Sequence, residues 1–500
     1  MAVHARTATL ALLAAAPILI VPASQEALAQ DAGIDVRAAN QLEVYYDTEL
    51  KESLLDDRLD VDLSYKMFSA GVVFLSHTPS DPLRLDPNDY GAQQQGVRKR
   101  WVTGQRGPLE LRLGDSYATF GNGLVLRIFE DQAVDFDNAV DGVHGTASLG
   151  SFTIEAIAGT NSFGEEETNV AGVSGSFTAG GWLMSLNGAR VDSVAGKATR
   201  PGKDWLGSVQ ASGNLLGRFD LAGEYAIRRH GFDDPAKRDL PEGHGAYASF
   251  HTSAGPVSLL LEGKDLLRFD HPYTTPPTAV RQHTSTLLNR GSHVPNIRLD
   301  DERGYQIEGL VTPDEVWTLT GNYSRSEARH ADLPAWEAFG QAEAAYPATH
   351  LLAYGAEAEE TIREGEDRVF FERITFGGDV LQSITDLWSF EVGYETQGIQ
   401  ERDYSNDDYT FPRKYRDHLV SLTVSRAPIH SWAATIEYTV DNPRETKDTW
   451  VWLEWNIRLG TFGQLTVAGG SLRGGQVCSG GVCKIVDPFE GGRLEMLTYF

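Results

Sequence analysis

Charged side chains recur at every second position of several apolar segments of this chain. Glu391 and Glu395 alternate with apolar and aromatic residues in one segment, and Glu437 does so in another. Alternate residues share one face of a β-strand, so rows of carboxylates and guanidinium groups there could bind ions or select them by charge. The candidate residues for this chemistry are Glu110, Arg112, Asp220, Glu224, Arg228, Glu391, Glu395, Glu437, Glu454 and Arg458.

Serine and histidine residues raise the possibility of hydrolytic catalysis. The residues concerned are His244, Ser249, His251, Ser253 and His418. None of the serines lies in a Gly-x-Ser-x-Gly motif, and alternating serine and histidine on a strand are more often polar wall residues. We therefore expect no catalytic residue and no enzyme activity.

Two sets of residues have the side chains of metal ligands. Glu130, Asp131, Asp135, Asp137 and Asp141 form an acidic tract whose oxygens could hold Ca²⁺, although the spacing does not match the twelve-residue calcium loop. A solvated acidic loop is the favoured reading. The histidines at 271, 283 and 293 are irregularly spaced, so we expect no metal and no cofactor.

Cys478 and Cys483 are the two cysteines of the chain, and they bracket Ser479-Gly480-Gly481-Val482. In an exported protein such a pair is expected to be oxidised to a disulfide. A contribution to a metal site is the alternative, but no Cys- or His-rich motif lies near in sequence. A small structural disulfide is therefore predicted.

The elements that would position these residues are short alternating strands. Trp432, Ala434, Ile436 and Tyr438 share one face, opposite Glu437, and the last residues of the chain alternate in the same way up to Phe500. A soluble β-sandwich would alternate as well. Tryptophans near strand ends and the terminal aromatic residue favour strands that cross an outer membrane.

The N-terminal residues read as a secretory signal peptide. His4 and Arg6 precede an apolar run over residues 8–21, and Ala27-Leu28-Ala29 offers small residues for cleavage. Pro17 and Pro22 interrupt the run, which disfavours a membrane anchor. We predict a signal peptide at residues 1–29 and a mature chain of residues 30–500.

The composition agrees with a β-barrel in which only every second residue of each strand faces the lipid. The 500 residues include 51 glycines, 18 tyrosines and 10 tryptophans, and the formal net charge is -27. Such an acidic chain is poorly suited to nucleic acid, which requires clustered Lys and Arg. The predicted fold is all-β: a transmembrane antiparallel β-barrel of about 22 strands (about 18 to 26), closed by a C-terminal strand ending in Phe500.

Three segments break the alternation and are predicted to be long loops, near residues 78–96, 266–303 and 327–348. The second contains a possible short helix over residues 278–289, and we expect it to be ordered outside the barrel or folded into the lumen. The third is rich in Ala and Glu, which favours helix. No separate globular plug precedes the alternating segments, which disfavours an active transporter.

Several motifs together resemble a known family. They are Phe120-Gly121-Asn122-Gly123-Leu124, the Cys478 to Lys484 loop, the terminal Phe500, the stretch from Pro276 through His283 to His293, and Asp300-Asp301-Glu302-Arg303-Gly304. They resemble an uncharacterised outer-membrane β-barrel family, a domain of unknown function known mainly from Bacteroidota and related bacteria. The resemblance covers most of the mature chain and implies location and architecture.

The sequence thus predicts an outer-membrane barrel that is a channel or a solute-binding, porin-like protein with an acidic lumen. A non-conducting barrel acting as a receptor, assembly scaffold or secretion-complex component is the alternative. The expected partners are outer-membrane lipid and lipopolysaccharide, the barrel-assembly machinery through the C-terminal strand, and an unknown small solute or protein. No nucleic acid is expected.

Overall fold

The computed structural model of the protein describes residues 33–49, 51–78, 95–134, 136–163, 166–193, 202–231, 242–269, 271, 273–290, 301–328, 333–364, 367–403, 412–479 and 482–500. The predicted signal peptide and most of the predicted loop at 78–96 therefore lie outside the described residues. None of the helices in the described ranges is long and apolar enough to span a membrane.

The first half of the chain is built almost entirely of strands. Five long strands come first: β1 (Ile34–Asp47), β2 (Glu52–Tyr65), β3 (Phe68–Thr78), β4 (Gln95–Arg106) and β5 (Leu109–Ser116). Short strands follow: β6 (Ala118–Phe120), β7 (Leu126–Ile128), β8 (Glu130–Asp131) and, after a 3-10 turn at Gln132–Val134, β9 (Phe136–Asp137). The next long strands are β10 (Val140–Leu149), β11 (Phe152–Phe163), β12 (Glu166–Ala179), β13 (Trp182–Ser193), β14 (Gly202–Leu215), β15 (Phe219–Gly231), β16 (Gly243–Ala254) and β17 (Val257–Leu267).

The second half begins with a short helix, α1 (Thr286–Asn289). Its long strands are β18 (Glu302–Val311), β19 (Trp317–Ala328), β20 (Leu333–Ala345), β21 (Thr349–Glu364), β22 (Asp367–Ser383), β23 (Trp388–Asp403), β24 (Arg413–Arg426), β25 (His430–Val440), β26 (Thr449–Arg458) and β27 (Gly463–Leu472). A small hairpin, β28 (Gly475–Ser479) and β29 (Val482–Val486), precedes the last strand, β30 (Phe489–Tyr499).

The long strands form one closed antiparallel barrel. Within the described residues, 24 strands belong to this sheet, and it closes because β1 pairs with both β2 and β30. Phe500 completes the closure: its backbone N–H donates to Ala38 O at 2.8 Å, and Ala38 N–H donates to Phe500 O at 3.1 Å. The predicted closed antiparallel barrel is confirmed, with 24 strands instead of about 22.

One predicted loop is wrong. Residues 327–348 were expected to form a long, helical excursion, but β19 continues to Ala328 and β20 runs from Leu333 to Ala345. β20 pairs along its length with β19 on one side and β21 on the other. Backbone hydrogen bonds to two neighbouring strands therefore outweigh the helix preference of its Ala and Glu residues.

The outer wall is apolar. Its large hydrophobic side chains are exposed on the outside of the barrel, as at Leu186 (67%), Val209 (57%) and Leu453 (56%). Near one end Trp432 stacks between Trp388 and Trp455, with ring centroids 6.3 and 6.5 Å away. An apolar belt edged by aromatic rings suits a bilayer and not water, which excludes the soluble sandwich.

The two ends of the barrel differ. One end, here called the short-turn end, carries tight connections such as those after β2, β4 and β10 together with Phe500. The other, here called the long-loop end, carries the connections at residues 117–139, 268–301 and 473–488. These three long connections therefore all leave the barrel wall at the same end.

Candidate functional site in the barrel lumen

Three of these long connections fold into the lumen. We call residues 117–139 the first insert, residues 268–290 the second insert and residues 473–488 the third insert. The hairpin of the third insert contacts both the 3-10 turn of the first and helix α1 of the second. The helix expected over residues 278–289 is confined to Thr286–Asn289.

The first insert rests on an apolar patch of the inner wall. Phe120, Leu124 and Leu126 have no exposed surface, and Ile128 has 1%. The wall residues in this cluster are Val140, Ile157, Val170, Ala189, Val191, Leu206, Ala226, Tyr247 and Leu266, joined by Phe269 and Tyr273 of the second insert. Burying each large apolar side chain stabilises the insert by about 1.5 to 3 kcal/mol.

The Phe-Gly-Asn-Gly-Leu motif forms the contact between this insert and the wall. Gly121 has a φ of +67°, and a Cβ added to it would lie 2.2 Å from Glu224 Oε1. The Asn122 N–H donates to Glu224 Oε2 at 2.5 Å, and Ser208 Oγ donates to the other carboxylate oxygen at 2.6 Å. Only glycine combines this left-handed backbone with so close an approach.

The same motif joins the first insert to the second. Thr275 N–H donates to Gly123 O at 3.0 Å, and Arg127 N–H donates to Tyr273 O at 2.7 Å. Thr274 Oγ1 donates to Leu124 O at 3.0 Å. The two inserts are therefore held together mainly by backbone groups.

The acidic tract of the first insert is neutralised by cations of the wall. Lys99 Nζ lies 2.7 Å from Glu130 and 2.8 Å from Asp137, and Arg58 Nη1 lies 2.9 Å from Glu130. Burial opposes ionisation of Glu130, but the hydrogen bonds and charges of Lys99 and Arg58 prevail and lower its pKa below the usual value. The predicted solvated acidic loop is wrong for Glu130 and Asp137, because these two carboxylates are paired with wall cations inside the lumen.

Tyr117 lies in the same cluster. Its hydroxyl accepts a hydrogen bond from Lys99 Nζ at 2.8 Å and donates to Asp137 at 3.2 Å. Burial, followed by the charges of Asp137 and Glu130, raises the pKa of Tyr117 above its usual value. The phenol therefore stays neutral and acts as a hydrogen-bond donor to the carboxylates.

The second insert crosses from this side of the lumen toward the opposite wall. We call its residues 281–290 the crosspiece. Arg281 Nη1 bonds to Glu308 of β18 at 2.5 Å, and His283 Nε2 lies 2.6 Å from Glu337 of β20. Farther along, the crosspiece meets Glu395 of β23 and Glu437 of β25. Successive groups of one short segment thus meet four carboxylates from four strands.

The carboxylate of Glu395 accepts hydrogen bonds from the first residues of α1. Ser285 Oγ donates to Glu395 Oε2 at 2.8 Å, and the N–H groups of Thr286 and Leu287 donate to this carboxylate at 3.2 and 2.9 Å. Gln397 Nε2 donates to Leu287 O at 3.1 Å. Because the first N–H groups of a helix have no partner within it, the wall carboxylate satisfies them.

Glu437 is shared by two inserts. Arg290 of the crosspiece and Arg473 at the base of the third insert both bond to its Oε1. Arg473 also bonds to Asp417 and Glu445, each at 2.9 Å. The guanidinium of Arg473 therefore ties the crosspiece to the third insert and to the loop that follows β25.

Near the start of the second insert, the side chain of His271 faces a buried carboxylate of the wall. His271 is 2% exposed, and its Nε2 lies 3.9 Å from Asp204 Oδ2 on β14. Asp204 also bonds to Arg228 at 2.8 Å and to His230 at 2.9 Å. Burial lowers the pKa of His271 to about 4; the charge of Asp204 opposes this shift, and the charges of Arg228 and His230 act in the same direction as burial.

Four of the predicted lumen residues lie under the inserts. Glu224 and Glu437 are buried and bond to the first insert and the crosspiece respectively. Arg228 Nη1 donates to Arg268 O of the second insert at 3.1 Å, and Glu395 binds α1. The four residues lie on two opposite parts of the wall, and at each of them an insert neutralises or satisfies the wall groups.

The other six predicted residues lie toward the short-turn end. They are Glu110, Arg112, Asp220, Glu391, Glu454 and Arg458, on the face opposite to the apolar outer wall. Asp220 is 59% exposed and bonds to Asn214 and His251. Arg112 lies over Trp101 at 4.4 Å and lines a cavity of about 780 Å³ together with Glu110. This half of the lumen is open to solvent.

Sequence reasoning missed several residues of the site. Glu308 and Glu337 alternate with apolar residues just as the predicted carboxylates do, so the same pattern could have found them. The sequence shows no comparable pattern that would single out three other residues of the site, because their partners lie on distant segments. They are Lys99, Asp204 and Arg473. No group of three or more His, Cys, Asp or Glu residues suited to a metal occurs among the described residues.

The register of the third insert places Cys478 directly opposite Cys483 in the β28–β29 hairpin. Their side chains lie outside what the structure describes. The disulfide between them stays a prediction.

Fold and lumen together define a class: a large closed β-barrel of the outer-membrane type with chain segments folded into it. A chain of the E. coli P pilus tip assembly intermediate PapC-PapD-PapK-PapG has the same fold, with a TM-score of 0.51 and 9% sequence identity. The match covers 94% of this chain and 61% of that one.

The chain belongs to the family of unknown function DUF6029, whose model matches residues 52–330. The siderophore receptor PirA from Pseudomonas aeruginosa is similar at 8% identity, with a TM-score of 0.48 and coverage of 93% of this chain and 80% of that one. The P pilus usher PapC translocation pore is similar at 7% identity, with a TM-score of 0.47 and coverage of 93% and 99%. No curated protein matches the chain.

Proposed function

We propose that this protein is a gated outer-membrane channel for a small cationic solute and that the crosspiece closes it in the present state. The long-loop end would face the outside of the cell, as long loops do in bacterial outer-membrane barrels. Export would depend on the predicted signal peptide at residues 1–29, and assembly on the C-terminal strand ending in Phe500. The range of the family among Bacteroidota likewise stays a prediction.

One observation carries the proposal. The crosspiece places Arg281, His283, the first N–H groups of α1 and Arg290 against Glu308, Glu337, Glu395 and Glu437, one carboxylate after another. Displacing it would remove these partners from the row of carboxylates on the inner wall, of which Glu437 would keep its bond to Arg473. Such a row favours cations and disfavours anions.

The contacts of the two inserts differ in a way that suits a gate. The first insert buries an apolar cluster against the wall, and separating it from the wall would expose that surface to water. The crosspiece buries a smaller apolar cluster, in which Leu288 packs with Phe339 and Ala356 of the wall. Its hydrogen bonds to the four wall strands are charge-assisted except the one that Gln397 donates to Leu287 O. A cationic solute or water can replace such bonds.

A receptor or scaffold is the second candidate. It is favoured by the apolar packing of the first insert against the inner wall and by the contacts that join all three inserts. If the inserts never separate from the wall, the lumen stays obstructed. The long-loop end would then act as a binding surface.

Conductance in a planar bilayer tests the proposal. The refolded mature chain is compared with a variant in which residues 276–300 are replaced by a Gly/Ser linker that can span from β17 to β18. We expect brief openings in the wild type and a lasting, cation-selective conductance in the variant. Silence of both, with heat-modifiable migration showing that both are folded, would overturn the gated channel and favour the receptor.

A further inference from the structure

The first residue of the crosspiece, Arg281, lies between a carboxylate and an aromatic ring of the inner wall. Its Nη1 bonds to Glu308 Oε2 at 2.5 Å, and its guanidinium carbon lies 5.2 Å from the centroid of the Phe339 ring. Asn322 lies between these two wall residues, because it pairs with Glu308 on one side and with Phe339 on the other. Paired residues of neighbouring strands point to the same side of a sheet, so an acid, an amide and a ring form one row under the guanidinium.

Contacts within the wall hold the acid and the ring in place. Asn322 Nδ2 donates to Glu308 Oε2 at 3.3 Å and to Gln306 Oε1 at 3.2 Å. Phe339 is 7% exposed and packs against Ala356 of the neighbouring strand. The two groups that contact Arg281 therefore have supports of their own, which do not depend on the arginine.

Arg281 uses these two groups incompletely. A guanidinium and a carboxylate can form two parallel hydrogen bonds. The Nε of Arg281 is instead buried without a hydrogen-bond partner among the described residues. Within the same part of the chain, both hydrogen bonds to Glu308 go to Oε2 and none goes to Oε1. A buried donor without a partner is costly, so a guanidinium that is free to orient itself can bind here better than Arg281 does.

Solvent reaches this ion pair. The side chains of Arg281 and Glu308 are each 23% exposed, whereas those of the neighbouring pair, His283 and Glu337, are 2% and 1% exposed. Among these two contacts of the crosspiece, a solute in the lumen would therefore meet the one made by Arg281 first.

We propose that the row formed by Glu308, Asn322 and Phe339, here called the guanidinium site, binds the guanidinium group of a small solute in competition with Arg281. The inference rests on the proposed channel and names the class of cation that it takes. A planar guanidinium bonds to a carboxylate through its edge and stacks on an aromatic ring through its face, whereas an ammonium group is a point charge without such a face. Binding of the solute removes one of the contacts that hold the crosspiece closed.

Binding of argininamide and of lysinamide tests the site. The two compounds share the amide and the α-amine and differ in the head group of the side chain. Isothermal titration of the intact mature chain in detergent is expected to show argininamide binding about tenfold or more tightly to Arg281→Ala than to the wild type, because the variant lacks the competing group. Lysinamide is expected to bind Arg281→Ala about tenfold more weakly than argininamide does. Equal affinities for the two compounds would overturn the assignment of a guanidinium.

Two further variants locate the binding. Adding Glu308→Gln to Arg281→Ala is expected to abolish the gain in affinity, and a gain that persists would overturn the site. Arg290→Ala is the matched control, because Arg290 also joins the crosspiece to a wall carboxylate, Glu437, which Arg473 continues to neutralise. We expect this control to bind argininamide as the wild type does. An equal gain in the two arginine variants would assign the effect to a loosened crosspiece and overturn the site.

The titration measures binding without a current, so it separates this inference from the proposed channel. Binding as expected, together with silence of both chains in the bilayer, would overturn the channel and leave the guanidinium site to a receptor. Conductance without argininamide binding would overturn the site and leave the channel. If Arg281→Ala loses heat-modifiable migration, Arg281→Gln replaces it, and the same outcomes apply.

Discussion

The backbone N–H of Leu287 donates a hydrogen bond of 2.9 Å to Glu395 Oε2, across 108 residues of sequence. One residue is in the four-residue helix of the second insert, and the other is on the barrel wall. This bond joins the proposed gate to the wall of the barrel. It therefore offers the most direct way to bias the crosspiece without deleting it.

We expect Glu395→Gln to raise the open probability of the channel. A neutral amide accepts the N–H groups of α1 more weakly than a carboxylate, and the loss of about 1.5 kcal/mol would change the closed-to-open ratio roughly tenfold. Glu391→Gln is the control, because Glu391 lies on the same strand and face but is exposed toward the short-turn end. Single-channel recordings should show altered gating for the first variant and unaltered gating for the second. Equal gating would contradict the role of the crosspiece.

Gly121→Ala should destabilise the first insert. A Cβ there would meet the Glu224 carboxylate, and the left-handed backbone alone costs a non-glycine residue about 1 to 2 kcal/mol. Limited proteolysis, followed by mapping of cuts within residues 117–139, would measure the loss of protection. Gly309→Ala is the control, since nothing lies within 4 Å of the added methyl and its φ is ordinary. Equal protection in both variants would show that the tight approach has no energetic role.

Acidification should weaken the second insert. The folded pKa of His271 is about 4, below the 6.5 of the free side chain. The unfolded insert therefore binds more protons between these values. The stabilisation is complete above pH 6.5 and falls by about 3 kcal/mol as pH drops toward 4.

Proteolytic protection of residues 268–290 from pH 7 to pH 4 checks this dependence. His271→Gln should flatten the profile. His251→Gln should leave it unchanged, because the His251 side chain is 42% exposed in the open half of the lumen. A profile that stays steep without His271 would assign the pH dependence to other groups.

Replacing Lys99 by Met should strongly destabilise the barrel. The substitution removes the ammonium group that bridges Glu130 and Asp137, and removing one partner of a buried ion pair costs about 3 to 5 kcal/mol. Lys447→Met removes an exposed pair with Glu490, so it should cost less than about 1 kcal/mol. Urea unfolding in lipid vesicles would compare them. Similar midpoints for the two variants would refute the difference.

The sequence was sufficient for the barrel because alternation is a local property. Strands such as β23 and β26 show it directly, and the terminal Phe500 marked the closing strand. β20 was missed because its Ala and Glu residues favour helix, and only pairing with β19 and β21 decides otherwise.

The site was less predictable because its contacts join distant residues. The Phe-Gly-Asn-Gly-Leu motif stood out in the sequence. The structural reason for the motif is its close contact with Glu224, about a hundred residues later in the chain. The carboxylates of the wall were predicted as a free ionic lining, and no periodicity could show that Arg290 and Arg473 would meet one of them. Pairing between a loop and a wall depends on tertiary structure alone.

The difference between the two ends of the lumen has a consequence for solutes on the inner side of the membrane. Under the proposed orientation, the half of the lumen toward the short-turn end is a recess that opens to the periplasm and ends at the inserts. It is lined by Glu110, Asp220 and Glu391. Negative charge in a recess with low-dielectric walls raises the local concentration of cations. Even while shut, the barrel would act as a one-sided reservoir in which periplasmic cations collect beneath the closed inserts.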